Sequence, residues 1–212
     1  MVRALLKENE DRREAIIAIA RDAFFSNGYA GTSMSSIAVS LGGSKTTLWS
    51  YFPNKPALFI AVADDLIAQY DKAVTSSLVP GGEIEATLRA FGRLLLSALL
   101  SDSLVALIRL VTGENGRFPE LGSRFHERGI GRGWTVLKAY LDDAVLAGQI
   151  QVEDTLFAAQ HFIALCQSRC YQRAMMGDTP HPSKTEIDQD IDAAVAIFLR
   201  AYQRIPLAMK GW

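Results

Sequence analysis

The chain has 212 residues with 22 Lys and Arg against 23 Asp and Glu, a net charge of −1 that excludes binding of a polyanion by global charge alone. A hydrophobic share of 49% excludes a disordered chain and supports one or two domains with real cores. Two cysteines are too few for a disulfide framework, and no apolar run reaches the roughly 18 residues of a membrane helix.

Residues 1–9, without the apolar core of a signal peptide, read as a tail, so the expectation is a cytoplasmic protein with no membrane partner. From Glu10 to Ser26 a helix carries Ile16, Ile19, Ala20, Ala23 and Phe24 on one face, and Asn27-Gly28 stops it. The stretch from Thr32 to Phe59 then gives two short helices, a glycine turn between them, and the start of a third. Thr32 or Ser33 caps the first, whose apolar positions are Met34, Ile37, Ala38 and Leu41. Gly42 and Gly43 reverse the chain, and Ser44 caps the second helix, Lys45 to Tyr51, which buries Leu48 and Phe52. Pro53 ends it and Asn54 caps the next.

A short helix with a lysine, hydroxyl residues and polar-tipped aromatics on its outer side suits the DNA major groove. The candidate DNA contacts are Thr32, Ser33, Ser44, Lys45, Thr46, Thr47, Trp49, Ser50, Tyr51 and Lys55. Lys45 lies in the first turn, within reach of base edges or a phosphate, and the short Thr46 suits a thymine methyl. Thr47, Trp49 and Tyr51 are expected on the DNA backbone, and Lys55 on a phosphate at the start of the following helix. No Asp or Glu occurs between Asp22 and Asp64, as a phosphate-facing surface requires.

The helix from Lys55 runs to about Ser77, and Pro80-Gly81-Gly82 breaks the chain. Further helices are expected over Glu83–Ser101 and Leu104–Gly113, with Ser103 as a cap for the second. Phe118-Pro119-Glu120 opens a long helix to Ala147, in which Gly129, Gly131 and Gly133 predict a kink, a break or a close crossing. Asp154 to Met176 reads as one helix apolar nearly all round, and Ser183 to Gln203 as a last helix with a strong stripe. A helix apolar on every side must be buried on every side, which points to a homodimer through these two helices. The interface is expected at Phe157, Leu165, Tyr171, Ile191, Val195, Phe198 and Tyr202.

The order G-x-S-K-x-T-L-[aromatic]-x-Y-F-x-x-K-x-x-L-F, from Gly42 to Phe59, follows an F-x-x-x-G-Y-x-x-T-S-x-x-x-I-A segment that starts at Phe24. This pattern resembles the TetR family of bacterial transcriptional regulators. Thr46, Trp49 and Pro56 depart from the usual residues and bear on contact detail. The body resembles the AefR-like type of C-terminal domain through GENGRFPEL (Gly113 to Leu121), GQIQVED (Gly148 to Asp154) and Ala158 to Phe162.

The resemblance implies an all-α fold: a three-helix helix-turn-helix head (1–56) and a helical effector-binding and dimerisation domain (57–212). It implies no enzyme and no cofactor, with operator DNA and a small apolar or aromatic effector as partners. The effector pocket is expected at Phe91, Leu95, Val111, Phe125, Trp134, Leu137, Phe162 and Cys166, though each aromatic side chain also suits a plain core position. Gln160, His161 and Arg132 are candidate polar anchors. The function expected is a repressor released from a palindromic operator. The alternatives are an activator without effector, or an all-helical carrier or enzyme that retains the helix-turn-helix.

The remaining motifs carry no such pattern. GIGRG, Gly129 to Gly133, follows no strand and lacks the trailing Lys-Ser/Thr of a phosphate loop. His126, His161 and His181 do not stand at metal-ligand spacing, so no metal is expected. Cys166 and Cys170 share a helical face and read as buried structural thiols, with a redox pair as the alternative.

Overall fold

The computed structural model describes residues 2–42, 45–178 and 181–202, with side chains from Lys7 onward. Every regular element among the described residues is helical. The chain divides into two compact units, one of Met1–Gln69 with Ala106–Gly129, the other of Tyr70–Val105 with Ile130–Trp212.

In the first unit α1 (Val2–Gly31) starts earlier than the sequence suggests, and its regular path ends at Gly28, whose φ of 72° only glycine adopts without strain. Helix α2 (Met34–Ser40) begins with a capping box: Ser36 N donates to Ser33 Oγ at 3.0 Å and Ser33 N to Ser36 Oγ at 3.1 Å. Gly42, at φ 64°, starts the turn into α3 (Lys45–Tyr51); the expected roles of Gly43 and Ser44 lie outside the described residues. Asn54 caps α4 (Lys55–Ser76), its Oδ1 accepting from Ala57 N at 2.8 Å. Ile16, Phe24, Ile37, Leu48, Leu58 and Phe59 are buried between these helices. At 7 residues each, α2 and α3 are too short to hold their shape without that burial.

The second unit is built around α5 (Ile84–Leu99), α8 (Gly131–Leu146), α9 (Thr155–Cys166) and α11 (Lys184–Tyr202). Phe91, Leu137, Leu141, Phe162 and Phe198 lie in its core. Gly92 on α5 permits a close crossing, since a Cβ there would lie 3.1 Å from Ile191 Cγ2 and 3.3 Å from Cys166 Sγ.

Three stretches differ from the sequence reading or refine it. Helix α6 (Asp102–Glu114) starts before the expected cap, and Ser101 rather than Ser103 accepts from Leu104 N, at 3.4 Å. The long helix after Phe118 is α7 (Pro119–Phe125), a π-helix (His126–Ile130) and α8, with the irregular turn at the glycines. Gly129 packs closely there, since a Cβ on it would lie 3.3 Å from Ile67 Cδ1.

The single helix expected over Asp154–Met176 is corrected to α9 and α10 (Cys170–Met176). Asp190, 6% exposed, explains the break: its Oδ2 accepts from Cys170 N at 2.8 Å and its Oδ1 from Arg169 Nε at 2.7 Å. That carboxylate caps a new helix start and so interrupts the old one. Ser183 and Glu186 form a capping box at the start of α11, and the expected end at Gln203 lies outside the described residues.

Candidate nucleic-acid interface

The short helix α3 is pinned by Leu48, which is fully buried, and by Phe52 just after it. Burying that one face turns Lys45, Thr46, Trp49 and Ser50 outward, all exposed, while Thr47 and Tyr51 are half-buried at the sides. Ser50 Oγ donates to Thr47 O at 2.7 Å, so that hydroxyl already has an acceptor within the helix. Ser33 and Ser36 are exposed at the start of α2, where the free amides of a helix N-terminus favour anions. Lys45, Thr46 and Trp49 on α3 and the serines of α2 are among the outward polar groups of this head. Ser44, a further candidate, lies outside the described residues.

Two candidates point inward. Thr32 is 2% exposed, and its hydroxyl lies 2.8 Å from Gly28 O and 3.0 Å from Ala23 O, so it ties the end of α1 to itself. Lys55 donates from Nζ to Tyr29 O at 2.8 Å and Thr32 O at 2.9 Å, and the ammonium sits 4.3 Å from the Tyr29 ring centroid. Burial lowers the Lys55 pKa, and the nearby Glu114 carboxylate pulls the other way. Both side chains are engaged by the head's own backbone, which sequence spacing could not reveal.

The structure adds Glu114 and Phe118, which the sequence placed in the body. Ala30 N donates to Glu114 Oε1 at 3.0 Å, and the Phe118 ring meets the Tyr29 ring edge-on at 4.8 Å. Tyr29 is pushed up to about 12 by burial first and then by the Glu120 and Glu114 carboxylates. The acid-free stretch of sequence thus acquires two carboxylates through folding. Their one signal was the GENGRFPEL segment, which contains both. Arg13 lies 5.4 Å from the Phe52 ring centroid, a second cation over an aromatic face of the head.

The expected pocket residues fall in both units. Phe91, Leu137, Phe162 and Cys166 are core residues of the second unit, with Leu95 and Trp134 packed against them. Val111 and Phe125 belong to the first unit, so the set is divided between the two. Two of the suggested anchors, Arg132 and His161, are engaged within the chain. Arg132 pairs with Asp71 through Nε at 3.1 Å and Nη2 at 2.7 Å, and His161 Nδ1 lies 2.7 Å from the Tyr202 hydroxyl. Burial pushes the Cys166 thiol up to about 12 and the Cys170 thiol up to about 11.

Within the single chain the expected interface residues differ in burial. Ile191, Val195 and Phe198 are 0–1% exposed within a single chain, because their stripe of α11 packs on α5 and α9. Leu165, Tyr171 and Tyr202 are half-buried, and Phe157 stays 58% exposed. No single helix among the described residues is long and apolar enough to cross a membrane. Among the same residues no three His, Cys, Asp or Glu side chains are grouped to hold a metal ion.

Residues 16–62 match the family described as bacterial regulatory proteins of the tetR family. Residues 86–204 match the C-terminal domain of AefR-like transcriptional repressors. Among solved structures, a TetR-family transcriptional regulator from Mesorhizobium loti MAFF303099 is similar at 30% identity and a TM-score of 0.82, over 92% of this chain and 98% of that one. The Flavonoid-responsive Regulator FrrA is similar at 29% identity and a TM-score of 0.79, over 93% and 100% of the two chains. The HTH-type transcriptional regulator RutR of Escherichia coli (strain K12) is 43% identical over 56 residues, 26% of this chain and 26% of that protein. The match thus spans about a quarter of the length of this curated relative.

Proposed function

The chain belongs to the TetR family of bacterial transcriptional regulators, and from that premise we propose a homodimeric repressor that a small-molecule effector releases from a palindromic operator. The observation that carries this reading is the outward face of α3, with Lys45, Thr46, Trp49 and Ser50 exposed above the buried Leu48. In this reading residues 1–56 bind DNA, and residues 57–212 bind the effector and dimerise in the cytoplasm. Two copies of α3 enter successive major grooves of a symmetric site.

Outward stripes of two helices support the dimer. Phe157, His161 and Ala164 are exposed on α9, and Ala193, Ala196 and Ile197 on α11, at helical spacing. Exposed apolar side chains on adjacent helices suit a four-helix interface burying about 2,000 Å² or more. For the effector, the likeness to a regulator named flavonoid-responsive favours a planar aromatic molecule. A thousandfold release requires the effector to prefer the DNA-free form by about 4 kcal/mol.

Selection from randomised duplexes by the purified protein, with light scattering of the free protein, tests this reading. A dimer mass at micromolar concentration and recovered sequences with two-fold symmetry are expected. A monomer, or asymmetric or unenriched sequences, would contradict it.

A further inference from the structure

Glu114 is the last residue of α6, yet its carboxylate serves a different helix. Its Oε1 accepts from Ala30 N at 3.0 Å, two residues beyond the break that Gly28 makes in α1. Four residues on, the Phe118 ring packs edge-on to Tyr29 at 4.8 Å and lies 5.9 Å from the Lys55 ammonium. Lys55 completes the cluster with its bonds to Tyr29 O and Thr32 O. The segment from Gly28 to Thr32, which leads from α1 into α2, is therefore held by residues that lie in neither α2 nor α3.

Within the segment the Thr32 hydroxyl bonds Gly28 O and Ala23 O, and Glu114 adds the side-chain contact at Ala30. The segment begins with a glycine at positive φ, and the two helices after it have 7 residues each. The bond from Ala30 N to the Glu114 carboxylate is charge-assisted and therefore stronger than a neutral one.

We propose that Glu114 and Phe118 are positioning residues for DNA binding: by fixing the Gly28–Thr32 junction they set how α2 and α3 present themselves to the duplex. The proposal rests on the reading of the head as the DNA-binding part, and it adds two residues outside the helix-turn-helix to that function.

The test uses the full chain as Glu114→Ala, Glu114→Gln and Phe118→Leu, an operator duplex selected by the unaltered protein, and hydrogen–deuterium exchange. Glutamine keeps an acceptor for Ala30 N and removes the charge. Glu114→Ala should speed exchange at residues 28–33 and weaken operator binding about tenfold, the effect of one backbone amide losing a charged acceptor. Exchange in α5 and α11 should stay unaltered in every variant, which separates loss of position from loss of fold.

Glu114→Gln should return both readouts to within about threefold of the unaltered protein, as a retained acceptor requires. Phe118→Leu should weaken operator binding severalfold, and unaltered affinity there would remove Phe118 from the proposal. Unaltered exchange and affinity in Glu114→Ala, or a glutamine variant as impaired as the alanine one, would overturn the role of Glu114. If the unaltered protein enriches no duplex, the functional reading fails, while exchange at residues 28–33 still decides whether Glu114 holds the junction.

Discussion

Lys55 donates to the carbonyl oxygen of Tyr29 at 2.8 Å while its ammonium lies 4.3 Å from the ring of that same tyrosine. With the second bond to Thr32 O, this lysine joins the start of α4 to the end of α1. Lys55→Ala should therefore lower unfolding free energy by about 1–3 kcal/mol, the range for a charged hydrogen bond and its neighbours. The slope of log affinity against log salt should stay within about half a unit of the unaltered value, whereas loss of one phosphate contact would reduce it by about one. Denaturant melts and salt titrations of the same variant separate the two.

Tyr29 makes stability depend on alkaline pH. Its phenol ordinarily titrates at 10.0 and is held to about 12 in the fold. Below pH 10 the group is protonated folded and unfolded, and its contribution is fully present. Between pH 10 and about 12 the unfolded chain ionises first, so stability falls by an amount that approaches about 2–3 kcal/mol. Tyr29→Phe should lack this loss, so the difference between the two proteins should shift across that window and stay flat below pH 9.

Two glycine substitutions should act in opposite directions. Gly92→Ala drives a methyl group to 3.1 Å from Ile191 and 3.3 Å from Cys166, both 0% exposed. A loss of about 1–3 kcal/mol is expected, beyond the helix propensity that alanine restores. Gly133→Ala meets nothing within 4 Å and should raise stability by about 0.5–1 kcal/mol. Thermal or denaturant unfolding of both variants decides the signs.

The thiols should be inert in the native protein. Cys166 and Cys170 are both buried and have raised pKa values, with burial as the first cause. A colorimetric disulfide reagent at pH 8 should leave both unreacted over minutes and titrate both in denaturant. Rapid native reaction of either would contradict the buried placement.

The head was legible because its signals are local. Caps, glycines and apolar spacing between Thr32 and Phe59 define two helices and a turn, and Leu48 points inward as that spacing requires. What escaped depends on partners distant in the chain. The break before Cys170 needs Asp190, and the inward direction of Lys55 needs the carbonyls of Tyr29 and Thr32. Helix α11 carries a bulky stripe of Ile191, Val195 and Phe198 that reads as sticky. Nothing in its spacing tells whether it faces the chain's own core or a second copy. The outward stripe contains Ala193 and Ala196, too small to register as apolar signals.

The central claim is that α3 reads DNA, and the most direct test is a titration of Lys45→Ala and Thr46→Ala against a panel of duplexes. The panel differs by single base pairs from the duplex that the unaltered protein selects, and each titration is run at several salt concentrations. Loss of preference at one base pair per half-site, by about 1–3 kcal/mol, is the expected result for at least one variant. Unchanged affinity and unchanged preference in both variants would contradict the account.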